Sequence, residues 1–154
     1  MSLRFALAVS ILTFLSGSAA ADPLQVETLD GEPVLLQRRE QDRVMIVHFW
    51  ATWCPECLEE LPELVKGVSR CAGLGVRLLV VDVGEDRETI VTFLRENGLE
   101  LDVLRDPRGR VWRELSGFGL PMNVIWTAEG RRVEVGPRDA STWQRELETA
   151  GCAG

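Results

Sequence analysis

Two cysteines, Cys54 and Cys57, stand two residues apart in HFWATWCPECLEELP, His48 to Pro62. Such a pair can hold a metal, carry a haem or pass electrons. Covalent haem attachment needs a histidine directly after the second cysteine, and Leu58 stands there. A structural zinc site needs four closely placed ligands. Cys71 and Cys152 are isolated in sequence, and His48 is the only histidine. Redox exchange fits the spacing, because one sulfur can attack a partner disulfide while the second resolves the mixed disulfide. That chemistry calls for no metal and no cofactor.

The elements around the pair must position it. VMIVHFW, Val44 to Trp50, is a nearly continuous apolar run, as in a strand covered on both faces. Pro55 to Arg70 reads as a helix, with Pro55 suited to its first turn and Pro62 inside it. Cys54 then falls at the mouth of that helix, where unpaired N–H groups and the dipole favour a thiolate. Cys57 lies one turn in.

The rest of the chain alternates in the same way. LQVETLDGEPVLL predicts a pair of short strands turning at Asp30-Gly31. VRLLVV is a second buried strand, and Asp86 caps a helix that Asn97-Gly98 stops. LDVL, Leu101 to Leu104, is a short strand, and a short helix about Val111 to Leu115 follows the DPRG turn. MNVIW and RRVEV form a hairpin, and Ser141 with Gln144 makes a capping-box pattern opening a last helix. Strands alternating with helices and finished by a hairpin indicate an α/β domain with a mixed sheet between helices.

The segment FWATWCPECLEELP resembles the active site of the thioredoxin superfamily, nearest the TlpA-like branch (ResA- and DsbE-like) of exported thioredoxins. VRLLVVDVGEDRETIVTFLRENGLELDVLRDPRG and GLPMNVIWTAEGRRVEV extend the likeness over nearly the whole chain. The resemblance implies a single thioredoxin-fold domain with added N-terminal strands and a central insertion. It implies that Cys54 attacks, that Cys57 resolves, and that Pro121 is a cis-proline facing them. Trp50 and Trp53 are expected to pack around the site, mostly as core, beside Pro55 and Glu56.

Glu60 matches a glutamate that many relatives keep beside the pair; it is either a proton shuttle or one more solvated carboxylate. His48 stands where relatives carry Asp or Asn, and is either a proton acceptor for Cys57 or a buried, neutral, hydrogen-bonded side chain. Met122-Asn123 replaces the usual Thr-Thr, which puts a soft sulfur near the pair and raises a copper(I) reading as an alternative. An oxidase is the other alternative. In a thioredoxin fold the two helices that end near Cys71 and Cys152 lie side by side, so a structural disulfide between them is expected.

Residues 1–21 read as a secretory signal, with Arg4, the apolar run Phe5 to Leu15, and a small-residue cleavage site. That run is shorter than the roughly 20 residues a membrane span needs. Residues 22–154 form the expected mature domain, with no membrane span once the signal is cleaved; an uncleaved membrane anchor is the alternative. The formal charge of −7, scattered, offers no footprint for nucleic acid. Export to the periplasm, a disulfide-bearing exported protein as substrate, and a membrane electron donor of the DsbD/CcdA type are the expectations. Glu56, Glu59 and Glu60 oppose a thiolate, which favours a reductant over an oxidant.

Overall fold

A computed structural model describes residues 24–152. The expected signal segment, residues 1–21, lies outside the described residues. In chain order the elements are β1 (Gln25–Thr28), β2 (Pro33–Leu35), β3 (Val44–Trp50), α1 (Pro55–Ser69), β4 (Val76–Val83), α2 (Arg87–Glu96), β5 (Val103–Asp106), α3 (Arg110–Glu114), β6 (Met122–Trp126), β7 (Arg131–Val135) and α4 (Ala140–Thr149).

One seven-stranded sheet runs β2-β1-β5-β4-β3-β6-β7. β3 is parallel to β4, and β4 to β5. β6 is antiparallel to β3, and the terminal hairpin strand β7 to β6. The N-terminal hairpin joins through β1, antiparallel to β5. The central strand β3 is buried along its whole length, so its apolar run covers both faces of the sheet.

Alternation along β3 sorts its side chains. Met45, Val47 and Phe49 pack with Val111 and Leu115 at α3 and with Leu24, Val26 and Leu36 from the N-terminal segment. Val44 and Ile46 pack against Leu64 of α1 and Trp143 and Leu147 of α4. Trp50 continues that second face and meets Cys54, Cys57 and Leu61, with Ile90 and Leu94 of α2. Helices therefore cover both faces, as the thioredoxin-like fold requires.

Three local expectations change. β5 begins at Val103 and not Leu101, because pairing with β4 starts at Val80↔Val103. The cap of α4 is Asp139 and not Ser141. The carboxylate of Asp139 takes the Thr142 N–H at 2.7 Å and the Ser141 hydroxyl at 2.9 Å, so the stronger acceptor starts the helix two residues earlier. Trp53 is 68% exposed and belongs to no core cluster, whereas Trp50 is fully buried.

Candidate active site

β3 ends at Trp50, and the turn Ala51–Trp53 carries the chain to Cys54, which caps α1 in an extended conformation. Pro55 is tolerated at the start of the helix because its missing N–H would have had no partner there. The Sγ of Cys54 accepts the Cys57 N–H at 3.2 Å. This is a backbone donor aimed at the sulfur from a helix N-terminus, an arrangement that favours the thiolate.

Cys54 and Cys57 form a disulfide, with Cα atoms 5.3 Å apart. Burial does not separate them in this state: Cys54 is 2% exposed and Cys57 fully covered. The distinction of Cys54 is its position at the cap.

The peptide bond Leu120–Pro121 is cis. Leu120 packs against the cluster that contains both sulfurs, which brings the Pro121 loop to them. That loop rests on Trp112 of α3. A Cβ on Gly117 would lie 2.4–2.6 Å from the Trp112 indole, and the indole N–H reaches the Gly119 carbonyl at 3.4 Å. Phe118, between these glycines, is 82% exposed.

Beneath α1 lies a buried polar cluster. Asn123 of β6 pairs in register with His48 of β3. Its Oδ1 lies 2.9 Å from His48 Nδ1, and its amide donates to Glu60 Oε1 at 2.8 Å. Glu60 also accepts the Trp143 indole N–H at 3.1 Å and the Arg138 backbone N–H at 2.8 Å. The solvated-face reading of Glu60 is thereby corrected: the side chain points inward, with three donors satisfying it. Burial nevertheless raises its pKa, with the donors from Arg138, Asn123 and Trp143 pulling the other way.

Burial pushes His48 down to about 4, so the imidazole is neutral at physiological pH. Its Nε2 is buried without a hydrogen-bond partner, which leaves a lone pair free to take a proton. Met122 lies elsewhere. It packs with Met45, Phe49 and Val124 on the α3 face of the sheet, apart from the cluster of the two sulfurs. The copper(I) reading loses the methionine that raised it.

The structure brings Glu60 and His48 together beneath α1, and the residues that link them, Asn123, Trp143 and Arg138, were missed by sequence reasoning. Strand alternation carries the missing signal for Asn123: one residue beyond Met122 on β6, it faces α1.

The sequence profile of the AhpC/TSA family matches residues 17–130. The chain belongs to that family. It is 22% identical over 145 residues to sporulation thiol-disulfide oxidoreductase A of Bacillus subtilis, covering 86% of this chain and 87% of that protein. It is 32% identical over 124 residues to the thiol:disulfide interchange protein DsbE of Pseudomonas fluorescens biotype C, covering 78% and 67%. Among solved structures, a thioredoxin-family thiol:disulfide interchange protein from Chlorobium tepidum superposes with a TM-score of 0.64 at 26% identity, covering 86% of this chain and 99% of that one. With its disulfide at the cap of α1, the chain carries the redox pair of the thiol–disulfide oxidoreductases in this family.

Proposed function

We propose that the chain acts in the periplasm as a reductant of disulfides in exported partner proteins, cytochrome c maturation being one such setting. In its reduced form the Cys54 thiolate attacks the partner disulfide, forming a mixed disulfide and releasing one partner thiolate. Cys57 then gives up its proton and attacks Cys54 Sγ. The partner leaves with both sulfurs reduced, and the Cys54–Cys57 bond forms. Its two electrons must be restored by a membrane electron donor of the DsbD/CcdA type.

The observation that carries the reductant reading is the charge around the cap. Glu56, Glu59 and Glu63 are exposed along α1, and together with Glu60 they line a depression between α1 and the start of α4. Negative charge beside a sulfur disfavours its thiolate, which keeps the dithiol a better electron donor. The cation lining that depression, Arg138, is committed to Glu134 and Glu146 and stacks 4.6 Å from the Trp143 ring centroid.

Proton handling falls to the buried cluster. Neutral His48, with its free Nε2, and Glu60 are the groups proposed to take the Cys57 proton. Trp53 and Phe118 support a macromolecular substrate. β3 and β6 are antiparallel, so the chain leaving β3 toward Trp53 and the chain entering β6 from Phe118 meet at one end of the sheet. Both are exposed aromatics of the kind that anchor protein interfaces.

A Cys57→Ser variant tests this reading, because it removes the resolving sulfur and arrests the mixed disulfide. Exported proteins with disulfides should be captured through Cys54, and a Cys54→Ser, Cys57→Ser control should capture none. Equal capture by both variants would contradict the reading.

A further inference from the structure

At the same end of the sheet lies a pair of acids that the proton path above does not use. Asp82, near the end of β4, is fully buried and pairs in register with Trp50 on one side and Arg105 on the other. Its Oδ1 accepts the Glu85 N–H at 3.1 Å, and its Oδ2 is buried without a partner. Both Glu85 oxygens accept from Thr52, from its N–H and from its hydroxyl, each at 2.6 Å. Asp82 thus holds the Glu85 backbone, and the Glu85 side chain holds Thr52.

Thr52 lies two residues before Cys54, in the turn that delivers the sulfur to the helix cap. We propose that Asp82 and Glu85 act as one positioning unit for Cys54: Asp82 fixes the Glu85 backbone, and the Glu85 side chain clamps the Thr52 turn and so holds the sulfur on the Cys57 N–H. The proposal rests on the reading of Cys54–Cys57 as the redox couple and adds two positioning residues to it.

The surroundings favour a proton on Asp82. Asp86 caps α2, and Arg87 pairs with Asp30. Arg105 of β5 is drawn away by Glu27 of β1, leaving its Nε buried without a partner. Asp106 of β5 spends its oxygens on the Arg110 and Trp112 amides. His48 on β3 is neutral, and Glu60 of α1 is tied to Asn123, Trp143 and Arg138. Burial first, then the Glu85 hydrogen bond and charge, raise the Asp82 pKa well above the carboxylate range. Losing that proton would put two negative charges side by side, loosen the clamp and oppose the Cys54 thiolate.

The test uses the full chain in a Cys57→Ser background, with iodoacetamide alkylation of Cys54 followed between about pH 6 and 10. The parent should show a titration broader than a single site, because Asp82 and the thiol ionise in overlapping steps. Asp82→Asn, which keeps an oxygen for the Glu85 N–H and removes the titrating acid, should narrow the curve to a single site and lower its midpoint. Thr52→Val changes no charge and touches the clamp from its other end, so it carries the test should the buried variant fail to fold. It should slow alkylation at neutral pH by roughly threefold or more, as a lost hydrogen bond to a charged acceptor implies. An Asp82→Asn profile that superimposes on the parent, or an unchanged rate in Thr52→Val, would overturn the proposal. Alkylation reads Cys54 without any partner, so a failed trapping experiment and a failed clamp are told apart.

Discussion

At the residue scale, the proposed proton transfer rests on a histidine kept neutral by its surroundings. His48 has no solvent, and Asn123 supplies its single hydrogen bond at 2.9 Å. Charging it means placing a cation in a site that offers no full compensation, hence a folded pKa of about 4 against an ordinary 6.5. The unfolded chain takes up this proton first as the pH falls. The stability associated with His48 is therefore fully present above about pH 6.5 and is lost as the pH falls toward 4, to a limit of about 3 kcal/mol. Glu60 acts with the opposite sign. Its raised folded pKa favours the native state at low pH, an advantage lost as the pH rises through that folded value. His48→Asn should remove the first effect alone. Urea unfolding at pH 7 and pH 4.5 should show the variant losing less stability than the parent on acidification; equal losses would mean that the imidazole charges in the native state.

The same residues show how far a sequence reading reaches. Cys54, Cys57 and Pro121 are legible because their roles depend on neighbours in the chain: a strand end, a helix start, a bend. Glu60 and His48 were left between two readings each, because what decides them is a side chain 63 and 75 residues away, Asn123. Trp53 was misplaced for a related reason. Beside Trp50 it looks like core, but it sits in the turn beyond the strand, where alternation no longer governs which way a side chain faces. Asp82 carries no signal of its own in the sequence, and its burial shows only in the fold, between Trp50 and Arg105 in the sheet.

At the scale of elements, the site depends on α1 lying close to α4, since Glu60 on one receives Trp143 from the other. Gly67 lies in that contact. A Cβ there would stand 2.7 Å from Leu147 Cδ1, so a larger residue forces that buried methyl to move. Gly67→Ala replaces a poor helix former with the best one, and packing should still win. We expect a loss of about 1–3 kcal/mol from overpacking, partly offset by up to about 1 kcal/mol of helix propensity. Chemical denaturation gives the net value, and a stabilised variant would show that the Leu147 side chain moves aside without cost. The helices themselves were readable from caps and periodicity, but the distance between them was not, because a mid-helix glycine looks like a weakness until its neighbour is known.

At the scale of the molecule, the two disulfides divide the labour. Cys71 follows α1 and Cys152 follows α4; they are joined in a bond with Cα atoms 5.3 Å apart, and both are buried. The packed helices run away from the redox end together, so this bond closes the far pole across 81 residues of sequence. In the chain-entropy view a loop of that length stabilises the fold by roughly 4–5 kcal/mol. The double variant Cys71→Ala, Cys152→Ala should lose stability of that order while its Cys54–Cys57 potential stays that of the parent. A shifted potential would mean that the far pole is coupled to the redox pair.

The central claim is that Cys54–Cys57 is a reducing couple, its helix-cap stabilisation of the thiolate opposed by the carboxylates along α1. Equilibration of the purified protein against glutathione buffers of graded ratio, with the two redox forms separated after alkylation, measures this directly. The account predicts a pair that remains largely oxidised except at strongly reducing ratios, with a potential more negative than that of glutathione. A pair that stays reduced in mildly oxidising glutathione would contradict it and make the protein an oxidant.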